Sequence, residues 1–94
     1  MDALCFKLKS RYSPAIITRL NSKIIGIEFA NSEGSIVIQK GTNSGRFTVS
    51  YPALILQPNG NKKCEQTTSN NILEEGLFWI LNQINTNGWV MPEC

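Results

Sequence analysis

Arg46-Phe47-Thr48-Val49-Ser50-Tyr51 alternates apolar and polar residues without a break: Phe47, Val49 and Tyr51 on one parity, Arg46, Thr48 and Ser50 on the other. Successive side chains of a strand point to opposite faces, so this is the pattern of a β-strand with one buried face. Pro52 follows at once, and because proline lacks a backbone donor, strand pairing is expected to change there. Residues 53–57 read as a final apolar strand or the continuation of this one past a bend.

The same period recurs upstream. Ile25, Ile27 and Phe29 share one parity in residues 23–30, and Ile36 and Ile38 point inward in residues 35–39 with Val37 outward. Two turn clusters separate these segments, Asn31-Ser32-Glu33-Gly34 and Gly41-Thr42-Asn43-Ser44-Gly45, where Asn and Gly accept a positive φ at little cost. Residues 15–20 are ambiguous. Ser13 and Pro14 can open a short helix, but the β-branched Ile16, Ile17 and Thr18 favour a strand, which is the preferred assignment. At the N-terminus Leu4, Phe6 and Leu8 alternate with Cys5, Lys7 and Lys9, which reads as a first strand with a basic outer side continued by Arg11.

Downstream the pattern changes. Residues 58–70 are polar and rich in turn formers, so they read as a surface loop. A helix is expected over about residues 71–87, capped by Ser69, Asn70 or Asn71, with Glu74 and Glu75 near its positive end. Leu73, Leu77, Ile80, Leu81 and Ile84 form its apolar stripe, with Gly76 beside it as a place for close approach to strands. Gly88 after Asn87 is the stop signal, and Trp89-Val90-Met91 can fold back on the last turn. The expected architecture is α+β: a mostly antiparallel meander of four to five strands covered on one face by a single C-terminal helix. Ninety-four residues make one domain, 1–94.

Net charge is only +2, too small to imply a polyanionic partner, but its distribution is uneven. Residues 1–50 carry seven cations against three carboxylates, a balance of +4, while residues 51–94 carry two against four, a balance of −2. Apolar residues make up 41% of the chain, enough for a core, yet no run approaches a membrane span. No signal-peptide pattern opens the chain, and Cys5, Cys64 and Cys94 are isolated and odd in number, so reduced thiols in a cytoplasmic protein are expected.

There are no histidines, which removes the commonest general base, the usual Ser and Cys triads and most metal sites. Glu74 and Glu75 are adjacent on a helix and point about 100° apart, so they do not form a carboxylate pair and fit a helix N-terminus instead. The Gly41 to Gly45 cluster lacks the Gly-Lys-Ser/Thr opening a helix that a phosphate loop needs. Cys5, placed on the Lys7 and Lys9 side, fits an inert thiol better than a reactive one. No enzyme, cofactor or metal centre is expected.

Two binding functions remain. The first is protein binding, with Phe78, Trp79, Asn82 and Trp89 as the contact. Phe78 and Trp79 lie off the helix stripe, and large aromatics beside Asn82 and Gln83 have the composition of an interface. A homodimer through the helix back is its simplest version; inhibitor, immunity-type or accessory roles all fit. The alternative is single-stranded nucleic acid held on a basic sheet face by Lys7, Lys9, Arg11 and Arg46. Against it, Phe6, Phe29, Phe47 and Tyr51 fall on the apolar parity, away from the cations, so the stacking platform such binders use is missing.

Overall fold

A computed structural model describes all residues except Met1, Pro14, Ser32, Glu33, Thr42, Ser44 and 92–94. Cys94, Pro14 and parts of the two upstream turn clusters therefore lie outside the described residues. The chain runs α1 (Asp2–Arg11), β1 (Ile16–Asn21), β2 (Ile24–Glu28), β3 (Ile36–Lys40), β4 (Arg46–Leu56), β5 (Lys62–Leu73) and α2 (Glu74–Asn87). Its strands form one antiparallel sheet in the order β1-β2-β3-β4-β5, the α+β meander that the alternation predicts.

Register explains the core. Ile25 pairs with Ile38 and Ile38 with Val49, so three fully buried side chains cross the middle of the sheet in one row. Leu77, Ile80, Leu81 and Ile84 of α2 close over this face, joined by Leu4, Cys5 and Leu8 of α1. Leu73 leaves the expected stripe. It stands at the helix start and is exposed. Gly76 makes no unusually close approach, since a Cβ there would meet only the Ile72 Cβ at 3.8 Å, an ordinary contact.

Pro52 changes the pairing as expected. The β3–β4 ladder reaches Ser50, and beyond it Val90 takes over the edge of β4. Its amide donates to the Pro52 carbonyl and its carbonyl accepts from the Leu54 amide, both at 2.9 Å. Proline thus sits where a neighbouring strand ends and its missing donor leaves no gap.

Four expectations are corrected. The N-terminal segment is a helix, not a strand. Its residues include no β-branched side chain, and Leu4, Leu8 and Tyr12 recur every four positions, so a helix buries them while leaving Phe6 75% exposed. Asp2 in the first turn and Lys9 and Arg11 in the last complement the helix dipole. The sheet is consequently covered by two helices and not one: α1 lies against β1, and α2 lies over β4 and β5.

Residues 58–70 are not a surface loop. A turn at Gly60 (φ 87°) reverses the chain, and β5 pairs with β4 along nearly its whole length, with one irregularity between Phe47 and Val49. An edge strand needs only its neighbour's backbone, so a polar sequence can form one wherever a long partner strand offers free donors and acceptors. Finally, no side chain caps α2. Leu73 is the extended N-cap residue, while Asn71, at φ 59°, accepts from Asn43 Nδ2 through its side chain and from Arg46 Nη1 through its carbonyl.

Helix and strand make different demands on residues 6 and 8, which a strand would place on one face. Leu8→Ala is expected to cost about 2–5 kcal/mol in chemical denaturation, as for a buried leucine. Phe6→Ala is expected to stay within about 0.5 kcal/mol, as for an exposed site. Equal effects would contradict the helix.

Candidate protein-binding groove

The four residues expected to form one interface divide between the two flanks of α2. Phe78 is half-buried in the seam between the helices. The Tyr12 ring lies 6.3 Å from it and the Arg11 guanidinium stands 4.6 Å over its face, a cation–π contact. Asn82, one turn further along, accepts a 2.7 Å hydrogen bond from the Tyr12 hydroxyl. Lys7 and Glu74 continue the seam with an exposed 2.8 Å ion pair. Phe78 and Asn82 therefore join α1 to α2.

Trp79 faces the other way and is 51% exposed. With Tyr51, Ile55, Leu56, Thr67 and Met91 it lines a groove of about 350 Å³ between α2 and the β4–β5 hairpin. Met91 (41% exposed) and Leu56 (61% exposed) make this an open apolar surface, not a sealed core. Trp89 is partly buried beside it, its indole Nε1–H directed at the Met91 sulfur at 3.0 Å. Leu56 and Met91 were not among the expected contact residues. The signal for Leu56 was present in the run Ala53-Leu54-Ile55-Leu56, which is apolar on both parities and so must leave some of its surface uncovered by the core.

The groove wall depends on how the chain leaves α2. Gly88 adopts φ 91°, and its amide donates to the Ile84 carbonyl at 2.8 Å, ending the helix as expected. Val90 then docks on β4, and the Met91 amide donates to Gln83 Oε1 at 2.9 Å. The turn that stops the helix thus also sets Trp89 and Met91 in place.

The basic residues do not form the expected sheet face. Lys7, Lys9 and Arg11 are on a helix, with Lys9 about 200° around its axis from Lys7. Arg11 is engaged by Phe78 and Arg46 by the Asn71 carbonyl. Lys7 and Arg46 do meet, with Lys40, around a hollow of about 200 Å³ that also includes Glu74. Cys5 lies buried in the core, whereas Lys7 and Lys9 are exposed. Among the described residues, no three Cys, Asp or Glu groups cluster as metal ligands would, and no helix is long and apolar enough to cross a membrane. Comparison with known protein families, curated proteins and solved structures returned no match to this chain.

Burial pushes the Tyr12 phenol above its ordinary value of 10.0, and Arg11 beside it pulls partly the other way. The folded state therefore holds this proton more tightly than the unfolded chain. Stability from Tyr12 is complete below about pH 10 and is lost as pH rises through the raised value. Denaturation midpoints measured between neutral and alkaline pH are expected to fall less steeply above pH 10 in Tyr12→Phe than in the parent chain. At the far end of α2, a Cβ on Gly88 would stand 2.5 Å from the Asn31 carbonyl oxygen, on a backbone that L-residues avoid. Gly88→Ala is expected to destabilise by about 1–3 kcal/mol in urea titration, with Trp89 emission shifted toward the red as the turn opens.

Proposed function

We propose that this is a small non-catalytic protein-binding module that grips a partner polypeptide in the groove between α2 and the β4–β5 hairpin, with Trp79 as its anchor. The observation that carries this is the exposure of Trp79, Leu56 and Met91 around one concave surface. Tryptophan and methionine are enriched where protein surfaces meet, and an aromatic anchor in a pocket commonly dominates binding energy. Inhibitor, immunity-type and accessory roles all use such a surface, and a cytoplasmic setting suits three cysteines spaced far apart in the sequence.

Single-stranded nucleic acid remains the competing function, now centred on Lys7, Lys40 and Arg46 in place of the expected strand face. Glu74 stands among these cations and pairs with Lys7, which weakens any phosphate contact there. Phe47 lines the same hollow and is partly buried against the core. Among the described residues lining this hollow, none offers an open aromatic face for the stacking that sequence-tolerant single-strand binding uses.

The two are separated by paired variants. Peptides selected for binding to the parent chain from a displayed random library are expected to lose at least about tenfold in affinity to Trp79→Ala, as for a central interface anchor. They should bind Lys7→Glu and Arg46→Glu unchanged, and the circular dichroism of Trp79→Ala should match the parent. Loss of fold in that variant would assign Trp79 to the core. Micromolar binding of labelled single-stranded DNA with a steep salt slope, abolished by Lys7→Glu, would overturn the protein-binding function.

A further inference from the structure

The two edges of the sheet are unlike. β5 opens with Lys62 and Lys63, both exposed, and carries Glu65 two residues on, which is how natural proteins guard an edge against pairing. β1 has no lysine and no proline, and five of its six residues are exposed. Ile16 is 62% and Leu20 is 58% exposed on the sheet face that neither helix covers. There they border, with Val37, an apolar hollow of about 320 Å³ above Gly26. The one charged side chain of β1, Arg19, is paired with Asp2 of α1. The ladder of β1 with β2 is regular over residues 16–19 and shifts register only between Arg19 and Asn21, so this apolar stretch without lysine or proline is a template for another strand.

We propose that the occupant is β1 of a second copy, paired antiparallel across a two-fold axis at Thr18 to make a continuous ten-stranded sheet. The sequence of β1 selects this register. Directly opposed residues of an antiparallel pair lie on the same face, so the axis must pass through a residue position. Centring on Arg19 sets two guanidinium groups against each other, which is unfavourable. Centring on Ile17 leaves Leu20 opposite no residue of β1. Centring on Thr18 opposes Ile16 to Leu20 twice on the outer face, Ile17 to Arg19 twice on the helix face, and Thr18 to itself. Both exposed apolar residues are then covered by each other, and no like charges meet. β-Branched and hydroxyl cross-strand pairs of this kind each contribute about 0.2–1 kcal/mol.

Closure follows from the difference between the edges. Pairing of β1 with a partner's β5 would leave a free edge of each kind and propagate into a filament, whereas β1 with β1 uses the unguarded edge in both copies and stops at a dimer. The guarded β5 then forms both outer edges of the assembly. This contact is separate from the Trp79 groove, which both copies keep.

Sedimentation equilibrium of the full chain is expected to give twice the 10.5 kDa chain mass. Thr18→Lys places two ammonium groups across the axis and should raise the dimer dissociation constant about tenfold or more. Trp79→Ala should leave the mass unchanged, so failure of this contact and failure of the groove are distinguishable. Under mild oxidation Thr18→Cys should give a disulfide-linked dimer on a non-reducing gel, because opposed Cα atoms lie about 4.5–5.5 Å apart. Ile17→Cys should show no more than the parent chain, since position 17 meets 19 and not itself. A monomer at every concentration, a dimer indifferent to Thr18→Lys, or equal cross-linking at positions 17 and 18 would each overturn the proposal.

Discussion

One helix cannot seal a five-stranded sheet, and most of this structure follows from that constraint. Strands spaced about 4.8 Å apart put the outer two roughly 19 Å from each other, while a helix with its side chains is only about 10–12 Å wide. α2 lies over β4 and β5, so the apolar residues of β2 and β3 would remain wet on the β1 side without a second cover. α1 supplies it with Leu4, Cys5 and Leu8. The two helices must then be held side by side. Arg11 over Phe78, the Tyr12 hydroxyl on Asn82, and Lys7 with Glu74 do this along the seam.

That seam also decides what is left for function. Phe78 and Asn82 are occupied within the molecule, so the exposed aromatic on α2 is Trp79, on the opposite flank. There the hairpin of β4 and β5 extends past the end of β3 and, with Val90 and Met91, forms the groove wall. Because both helices lie on one face, the other face of the sheet stays open, and Ile16, Leu20 and Val37 border a hollow around Gly26 on its β1 side. Groove and edge are both surfaces that the fold leaves uncovered, at opposite ends of the sheet.

The central strands and the second helix were legible because their signals are local. Period-two alternation in β2, β3 and β4 states which face is buried, Gly88 marks the helix stop, and Pro52 marks the end of a ladder. The N-terminal segment misled because Leu4, Phe6 and Leu8 satisfy a period of two while Leu4, Leu8 and Tyr12 satisfy a period near four. The absence of β-branched residues in Asp2–Arg11 was the discriminating feature. β5 misled for a different reason. Its inner positions, Thr67 and Ser69, are small and polar, with Ser69 bonded to the Tyr51 hydroxyl at 2.6 Å, so no apolar period marks it. Of the interface residues, Trp79 was identifiable from its place off the helix stripe. The internal use of Phe78 and Asn82 depends on α1, whose position no local pattern reveals.

Side-chain order along the chain is enough to specify a meander of strands with one buried face, an amphipathic helix after it, and the end of this helix at Gly88. Each of these is written in side-chain periodicity or in the φ freedom of one residue. Long-range packing settles that a polar segment becomes an edge strand, that residues 2–11 coil into a second cover, and which flank of α2 stays exposed. Those outcomes rest on backbone partners and packing space supplied by segments distant in the chain, and no short window of sequence contains them.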